Sequence, residues 1–435
     1  MVRIQDHIAK ISWTAADKAL YLVYGFVNIM QNNALPPQEL GLYTLCNALQ
    51  TFIFAMSDGF VLQSIIIFGT DKELRGSINR FAITWHIIIV LGASALIFLL
   101  QLPFAWLLRE PRLSAVAAYL PIFCLLGIPR TLCLKYLTRD VQARAIFTIN
   151  VVWIGTMCLL TAWMLTMHRL VTFEAMFTIA AVGMAASSLT ALWITRRQLS
   201  FEGAKNMTQR EFFHAGAYQG TASMLGNTVR QLDVTVLQFF FGTATVGVYQ
   251  SAKTLFRFFD EGFSAITSLV YPATVRLVHE DRQTELVTML SKMLSFSLVA
   301  TLAVVLLTEL SIAEYVISRL LSPKYAAAIG YFRLLAFAAP AMPFVALLPV
   351  LLAFGEMRRL LVFIIVAVVA GLTTLVGVGY LQLPTLAPLG FVIYTITLGV
   401  LVFSFVRSRL HFPLRLLWRA VPDTLDFFGF LKSNK

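Results

Sequence analysis

Residues 216–272 read GAYQGTASMLGNTVRQLDVTVLQFFFGTATVGVYQSAKTLFRFFDEGFSAITSLVYP. Two apolar stretches, joined by the short FFFGTATVGVY, carry charge where segments facing hydrocarbon should carry none. In the first, Gln219, Ser223, Asn227, Arg230 and Asp233 recur at three- and four-residue steps. In the second, Gln250, Lys253, Arg257, Asp260 and Glu261, followed by Ser264 and Ser268, do the same. That period places each set on one face of a helix. A cation at the centre of a membrane helix costs about 2.5–3.5 kcal/mol on insertion scales, so Arg230, Lys253 and Arg257 are expected to face water or a partner. Facing cationic stripes would wall a polar cavity suited to an anion. The plainer alternative is self-neutralisation within each helix, Arg230 with Asp233 and Arg257 with Asp260 or Glu261. It leaves Lys253 over.

Composition places the whole chain in the membrane. Apolar residues make up 58% of it and charged residues 13%, where a soluble domain is near a quarter charged. Apolar runs of the length needed to cross a hydrocarbon core recur from end to end, and in lipid such runs must be helices. The expected class is all-α and integral to the membrane. The net charge of +12 follows topology and is no nucleic-acid signal. No cleavable signal peptide is expected, because MVRIQDHIAK is short and polar and no A-x-A site follows the first span. Cys46, Cys124, Cys133 and Cys158 all fall inside apolar spans and read as small buried hydrophobes. The scattered histidines have no metal-ligand spacing, and nothing resembles a nucleophile–base pair or a phosphate-cradling glycine loop. No cofactor is expected.

Twelve spans are expected, at 11–30, 40–68, 81–108, 113–136, 145–167, 171–195, 212–240, 243–275, 289–321, 325–354, 358–381 and 387–407. If the N-terminus is cytoplasmic, the outer loops hold only Arg109, Arg112, Arg169, Arg319 and Lys324, and the other loop cations fall inside. The positive-inside rule then puts both termini in the cytoplasm. The polar interval 196–211 divides an N-terminal six-helix bundle (1–195) from a C-terminal one (212–407). Residues 408–435 form a basic, aromatic tail expected to lie on the inner membrane surface. Pro121 and Pro129 in the fourth span, and Pro340, Pro343 and Pro349 in the tenth, are expected to kink their helices. Arg130 and Arg333 are expected near helix ends.

A faint internal repeat supports the division. GLYTLCNALQTF (41–52) and GVYQSAKTLFRF (247–258) each open the second helix of a half, with Gly41/Gly247, Tyr43/Tyr249 and Leu49/Leu255 matching. Repeats of this kind give a pseudo-two-fold axis with a central cavity between the bundles. Spans one and two would then line the opposite wall, with Thr14, Asp17, Lys18, Tyr21 and Asn28 on one and Tyr43, Asn47, Thr51 and Asp58 on the other. Asn47 and Thr51 stand where the second half has Lys253 and Arg257, so the cationic surface would be lopsided. Asp17 and Lys18 face the cavity or sit at the cytoplasmic interface.

The two six-helix halves, the G-x-Y openings and the run GTATVGVYQSAKTLFRFFDEGFSAITSLVYPATVRL together resemble bacterial polysaccharide flippases of the Wzx type. These belong to the multidrug/oligosaccharidyl-lipid/polysaccharide exporter superfamily. The resemblance implies translocation of a polyprenyl-pyrophosphate-linked oligosaccharide across the bacterial inner membrane, with membrane lipids and other polysaccharide-assembly membrane proteins as partners. It also implies intramembrane cations in the cavity, which Arg230, Lys253 and Arg257 match and Lys18 extends. The first half departs from the Arg-rich opening helices of lipid-linked peptidoglycan-precursor flippases. A cationic cavity lined by Asn47, Asn227 and Gln250 suits a pyrophosphate and a sugar. Asp17, Asp58, Asp233, Asp260 and Glu261 either carry a coupling proton or sodium ion or hold the cations in place. A multidrug cation exporter would want an acidic cavity instead. A polytopic glycosyltransferase or polymerase would want a large outer loop, and the loops here are short.

Overall fold

With no water to bond the backbone, each long apolar run closes its own hydrogen bonds as an α-helix. The computed structural model describes residues 4–69, 71, 73–196, 208, 209, 212, 221, 231–310 and 312–413. The helices are α1 (Ile4–Ala34), α2 (Pro37–Ser57, continuing to Phe68), α3 (Arg75–Leu99), the short α4 (Gln101–Leu107), α5 (Leu113–Arg139), α6 (Ala143–Thr166) and α7 (Phe173–Thr195). They continue with α8 (Gln231–Phe241), α9 (Thr243–His279), α10 (Gln283–Glu309), α11 (Ile312–Leu320), the broken α12 (Ala328–Ala353), α13 (Met357–Tyr380) and α14 (Leu389–Leu410). The expected spans fall on these helices, 81–108 on α3 and α4 together, 289–321 on α10 and α11 together, and the described end of 212–240 on α8. Most of the 196–211 connection, the tail from 414, and candidates Asn227 and Arg230 lie outside the described residues.

Among the described residues, nine helices are long and apolar enough to cross a membrane. Apart from the short α4 and α11, the exceptions are α1, α9 and the described part of the seventh span. They are also three of the four polar-striped segments. The fourth, α2, has the lowest hydropathy of the nine. Of the exceptions, α8 falls short by length, being itself apolar, whereas α1 and α9 are long and fall short by their polar content.

The chain forms two compact units, Met1–Thr254 and Leu255–Lys435, and the division falls inside α9. In the first unit α1 packs on α6, α2 on α3 and α5, and both α5 and α6 on α7. Val61, Leu62, Ile65, Ile78, Ala82, Leu132 and Tyr136 form one of its buried clusters. Burial here gains packing contacts rather than release of water, because lipid tails are as apolar as leucine. Small residues therefore mark close approaches. In the second unit α13 lies along α14, and a Cβ on Gly371 would press on the Gly390 carbonyl at 2.7 Å.

The repeat appears in the packing of the first unit. A Cβ on Gly41 would collide with the carbonyl oxygen of Thr243, and one on Gly247 with that of Pro37. Each glycine thus meets the residue four positions before its counterpart. The first turns of α2 and α9 cross by a local two-fold, backbone against backbone.

The prolines behave differently from one another. Pro121 and Pro129 sit inside the continuous α5, whereas Pro340, Pro343 and Pro349 break α12 into short turns. Eight residues separate the first pair, so each loses one backbone bond within an intact ladder. Three within ten residues leave room for only single turns between them.

The loops alternate between the two ends of the first unit. At one end Arg112 binds Glu39 through both terminal nitrogens, at 2.7 and 3.0 Å, and Phe173 N donates to Glu39 at 2.9 Å. There too Thr243 Oγ1 donates to Glu110 at 3.1 Å and Gln238 Nε2 to the Leu108 carbonyl at 3.3 Å. At the other end Arg75 Nε donates to the Gly69 carbonyl at 3.1 Å and Arg139 binds Asp140 at 2.9 Å. Turns one, three, five and seven meet at the first end, and two and four at the second, as an up-and-down order requires.

The hydrogen bond from Arg139 holds the Asp140 carboxyl below the usual carboxylate range, and Arg75 nearby acts in the same direction. A depressed folded pKa adds stability above the unfolded value of about 3.9 and loses it as pH falls through the folded value. The melting temperature of the wild type is therefore expected to fall towards that of Asp140→Asn as pH drops from 6 to 3.

Candidate functional site

The short turn at Gly242 lays α8 beside α9, and Asp233 on α8 is 7% exposed. Its Oδ2 accepts from Tyr249 Oη at 2.8 Å and from Lys253 Nζ at 2.9 Å. Lys253 also lies over the Tyr249 ring at 5.5 Å. Lys253 is therefore not left over, as its own helix had indicated. Its acid comes from the neighbouring helix, and a period read along one helix cannot register that partner. Tyr249 was legible only as a repeat residue, although it stands one turn before Lys253.

Four residues further along α9, Arg257 keeps a 47% exposed side chain and meets Glu261 at 3.6 Å. That distance is an ion pair but too long for a hydrogen bond. Among the described residues its donors remain open to an anion. Asp260 and Gln250 are half-buried on the same helix, and Asn47 on α2 is exposed.

The first unit holds two further polar groups. Asn150 on α6 donates to Asp17 Oδ1 at 2.8 Å and accepts from Arg130 Nη2 at 2.7 Å. The Arg130 guanidinium lies 4.4 Å from the Trp153 ring centre and the residue is only 9% exposed. This corrects the expectation of a helix-end arginine, since Arg130 is a buried mid-helix cation with a carboxylate reached through an amide. Lys18 is half-buried on α1. Asp58 opens a π-turn, Asp58–Leu62, within the second span. It binds Lys135 on α5 at 2.6 Å and accepts from Gln63 at 3.0 Å. Beside it, fully buried His86 meets Ser57 at 2.6 Å and Thr131 at 2.9 Å.

The structure thus joins Asp233 to Lys253 and Glu261 to Arg257. It places Asp17 and Asp58 with Asn150, Arg130 and Lys135, none of which the stripe pattern had marked as site residues. Arg333, the other expected helix-end arginine, binds Glu314 at 2.6 Å. The four cysteines are free thiols, three of them buried.

Comparison with solved structures gives the fold. A multidrug resistance MATE family transporter of the MOP superfamily, in its inward-facing conformation, superposes with a TM-score of 0.72 at 16% identity, covering 89% of this chain and 94% of that one. The lipid II flippase MurJ, in an inward closed conformation, gives 0.71 at 10% identity, covering 96% and 92%. A MOP superfamily transporter from Pyrococcus furiosus gives 0.62 at 17% identity, covering 93% and 95%. No curated protein sequence matches the chain. Its sequence does match a family model described as polysaccharide biosynthesis protein over residues 34–330. That stretch runs from the end of α1 into the broken α12 and includes the α8–α9 pair, its Asp233–Lys253 bond and Arg257. The chain is an all-α membrane protein with the fold of MOP superfamily transporters, and it belongs to the polysaccharide biosynthesis protein family.

Proposed function

We propose that the protein is a flippase rather than an enzyme, moving a polyprenyl-pyrophosphate-linked oligosaccharide across the bacterial inner membrane by alternating access. The observation that carries this reading is Arg257, an exposed guanidinium on α9 whose contact among the described residues is a long one to Glu261. A cation is costly there unless a ligand or water meets it. A pyrophosphate is the group too polar to cross hydrocarbon unaided, and arginine binds it bidentately. Lys253, shared with Asp233, supplies a second positive charge one turn away. Asn47 and Gln250, and Asn227 and Arg230 outside the described residues, are assigned to the sugar and the phosphates. The acids Asp17, Asp58, Asp260 and Glu261 are assigned to coupling by proton or sodium, or to holding neighbouring cations. The termini are assigned to the cytoplasm on the loop charges.

The test is surface display of polysaccharide in cells whose only flippase is the variant. Loss of two charge-assisted bonds is worth at least about 1.4 kcal/mol, or tenfold. Arg257→Ala should therefore reduce display at least tenfold at normal protein level, and Arg257→Lys should retain part of it. Full display from well-expressed Arg257→Ala would remove the phosphate from this reading.

A further inference from the structure

We propose that the turn after α4 is a binding site for an ethanolamine phospholipid, independent of the translocated substrate. A groove of about 820 Å³ lies among Leu102, Trp106, Arg109, Glu110 and Phe239, a size in the range of ligand pockets. Its wall is apolar and faces outward, with Trp106 83% and Leu102 72% exposed. Helix α4 ends a membrane span, and an exposed tryptophan at that depth belongs to the belt where rings meet headgroups. The wall suits an acyl chain.

The mouth of the groove carries two opposite charges on adjacent residues. Arg109 takes a left-handed backbone conformation, φ 53°, and its guanidinium lies 6.0 Å from the Phe239 ring centre. Among the described residues it forms no ion pair, and the adjacent Glu110 accepts from Thr243 instead. The Glu110 carboxylate accepts one bond at 3.1 Å from Thr243 and a long one, 3.3 Å, from Arg112 N. A carboxylate has about four acceptor sites, so capacity remains for a donor. An open guanidinium beside a carboxylate with spare acceptors matches a phosphate followed by a primary ammonium. A choline headgroup has no N–H to give Glu110, and a glycerol headgroup has no cation for it. Glu110 and the Leu108 carbonyl also bind the α8–α9 turn through Thr243 and Gln238, so the lipid would rest where that turn is fastened.

The test uses full-length protein in vesicles containing acyl-brominated phosphatidylethanolamine, phosphatidylcholine or phosphatidylglycerol. The readout is the tryptophan quenching lost on Trp106→Phe. One or two headgroup hydrogen bonds correspond to about fivefold in affinity, so phosphatidylethanolamine should half-saturate at about a fifth of the mole fraction the other two need. Glu110→Gln should abolish that preference while melting like wild type, Arg109→Gln should weaken the binding of all three lipids several-fold, and Arg109→Lys should restore it. Equal quenching by phosphatidylethanolamine and phosphatidylcholine would overturn the proposal. So would stronger binding of phosphatidylglycerol, which would mark a bare cation site, a preference that survives Glu110→Gln, or unchanged binding of all three lipids by Arg109→Gln. Transport activity does not enter the readout, so failure here leaves the flippase reading untouched.

Discussion

Valine in place of Gly41 or Gly247 is expected to prevent stable folding, and alanine at either position to lower the melting temperature sharply. The added Cβ meets a backbone carbonyl, of Thr243 or Pro37, that cannot rotate aside. Overpacking a core typically costs about 1–3 kcal/mol, and backbone against backbone lies at or beyond that upper end. Against a total stability of roughly 5–15 kcal/mol such a loss is severe. Gly155 and Gly377 provide the control, since both lie within membrane helices and, among the described residues, nothing stands within 4 Å of an added Cβ. Alanine there should be neutral or stabilising, by up to about 1 kcal/mol of helix propensity. Melting of the purified protein followed by size-exclusion profile separates the two pairs. Equal behaviour of Gly41→Ala and Gly155→Ala would show that the α2–α9 crossing is looser than it looks.

The second large effect concerns Asp233 and Lys253. Their side chains are 9% and 21% exposed, so removing either partner leaves the other's charge in a medium that solvates it poorly. Breaking such a pair costs about 3–5 kcal/mol, whereas replacing both by apolar residues of similar volume is often neutral. Asp233→Leu or Lys253→Met alone should therefore lose most of the folded protein. The double variant should recover much of it, less the Tyr249 hydrogen bond and its ring contact with the Lys253 ammonium. Lys253→Ala is for this reason a poor probe of substrate binding. Display of polysaccharide by the recovered double variant is the informative measurement. A several-fold drop is expected if Lys253 contacts the pyrophosphate, and unchanged display would make the pair purely structural.

Much of the architecture is a matter of chain chemistry alone. Runs of apolar residues long enough to cross hydrocarbon have no alternative to helix, so the spans and their number follow from composition and length. Polar residues at helical spacing likewise identify α1, α8 and α9 as unlike their lipid-facing neighbours, and Gly41 and Gly247 as equivalent points of a repeat. The up-and-down order follows from loop length and charge. What one-dimensional spacing cannot contain is the identity of a partner on another helix. Lys253 finds Asp233 twenty residues back across the Gly242 turn, and Arg130 finds Asp17 through Asn150. Lys135 is drawn to Asp58 where a π-turn changes the helical phase of α2, and a stripe drawn at constant period misplaces that side chain. The same limit applies to the glycines. Their matching positions are visible in the chain, but only the crossing of α2 over α9 makes a single methyl group there intolerable.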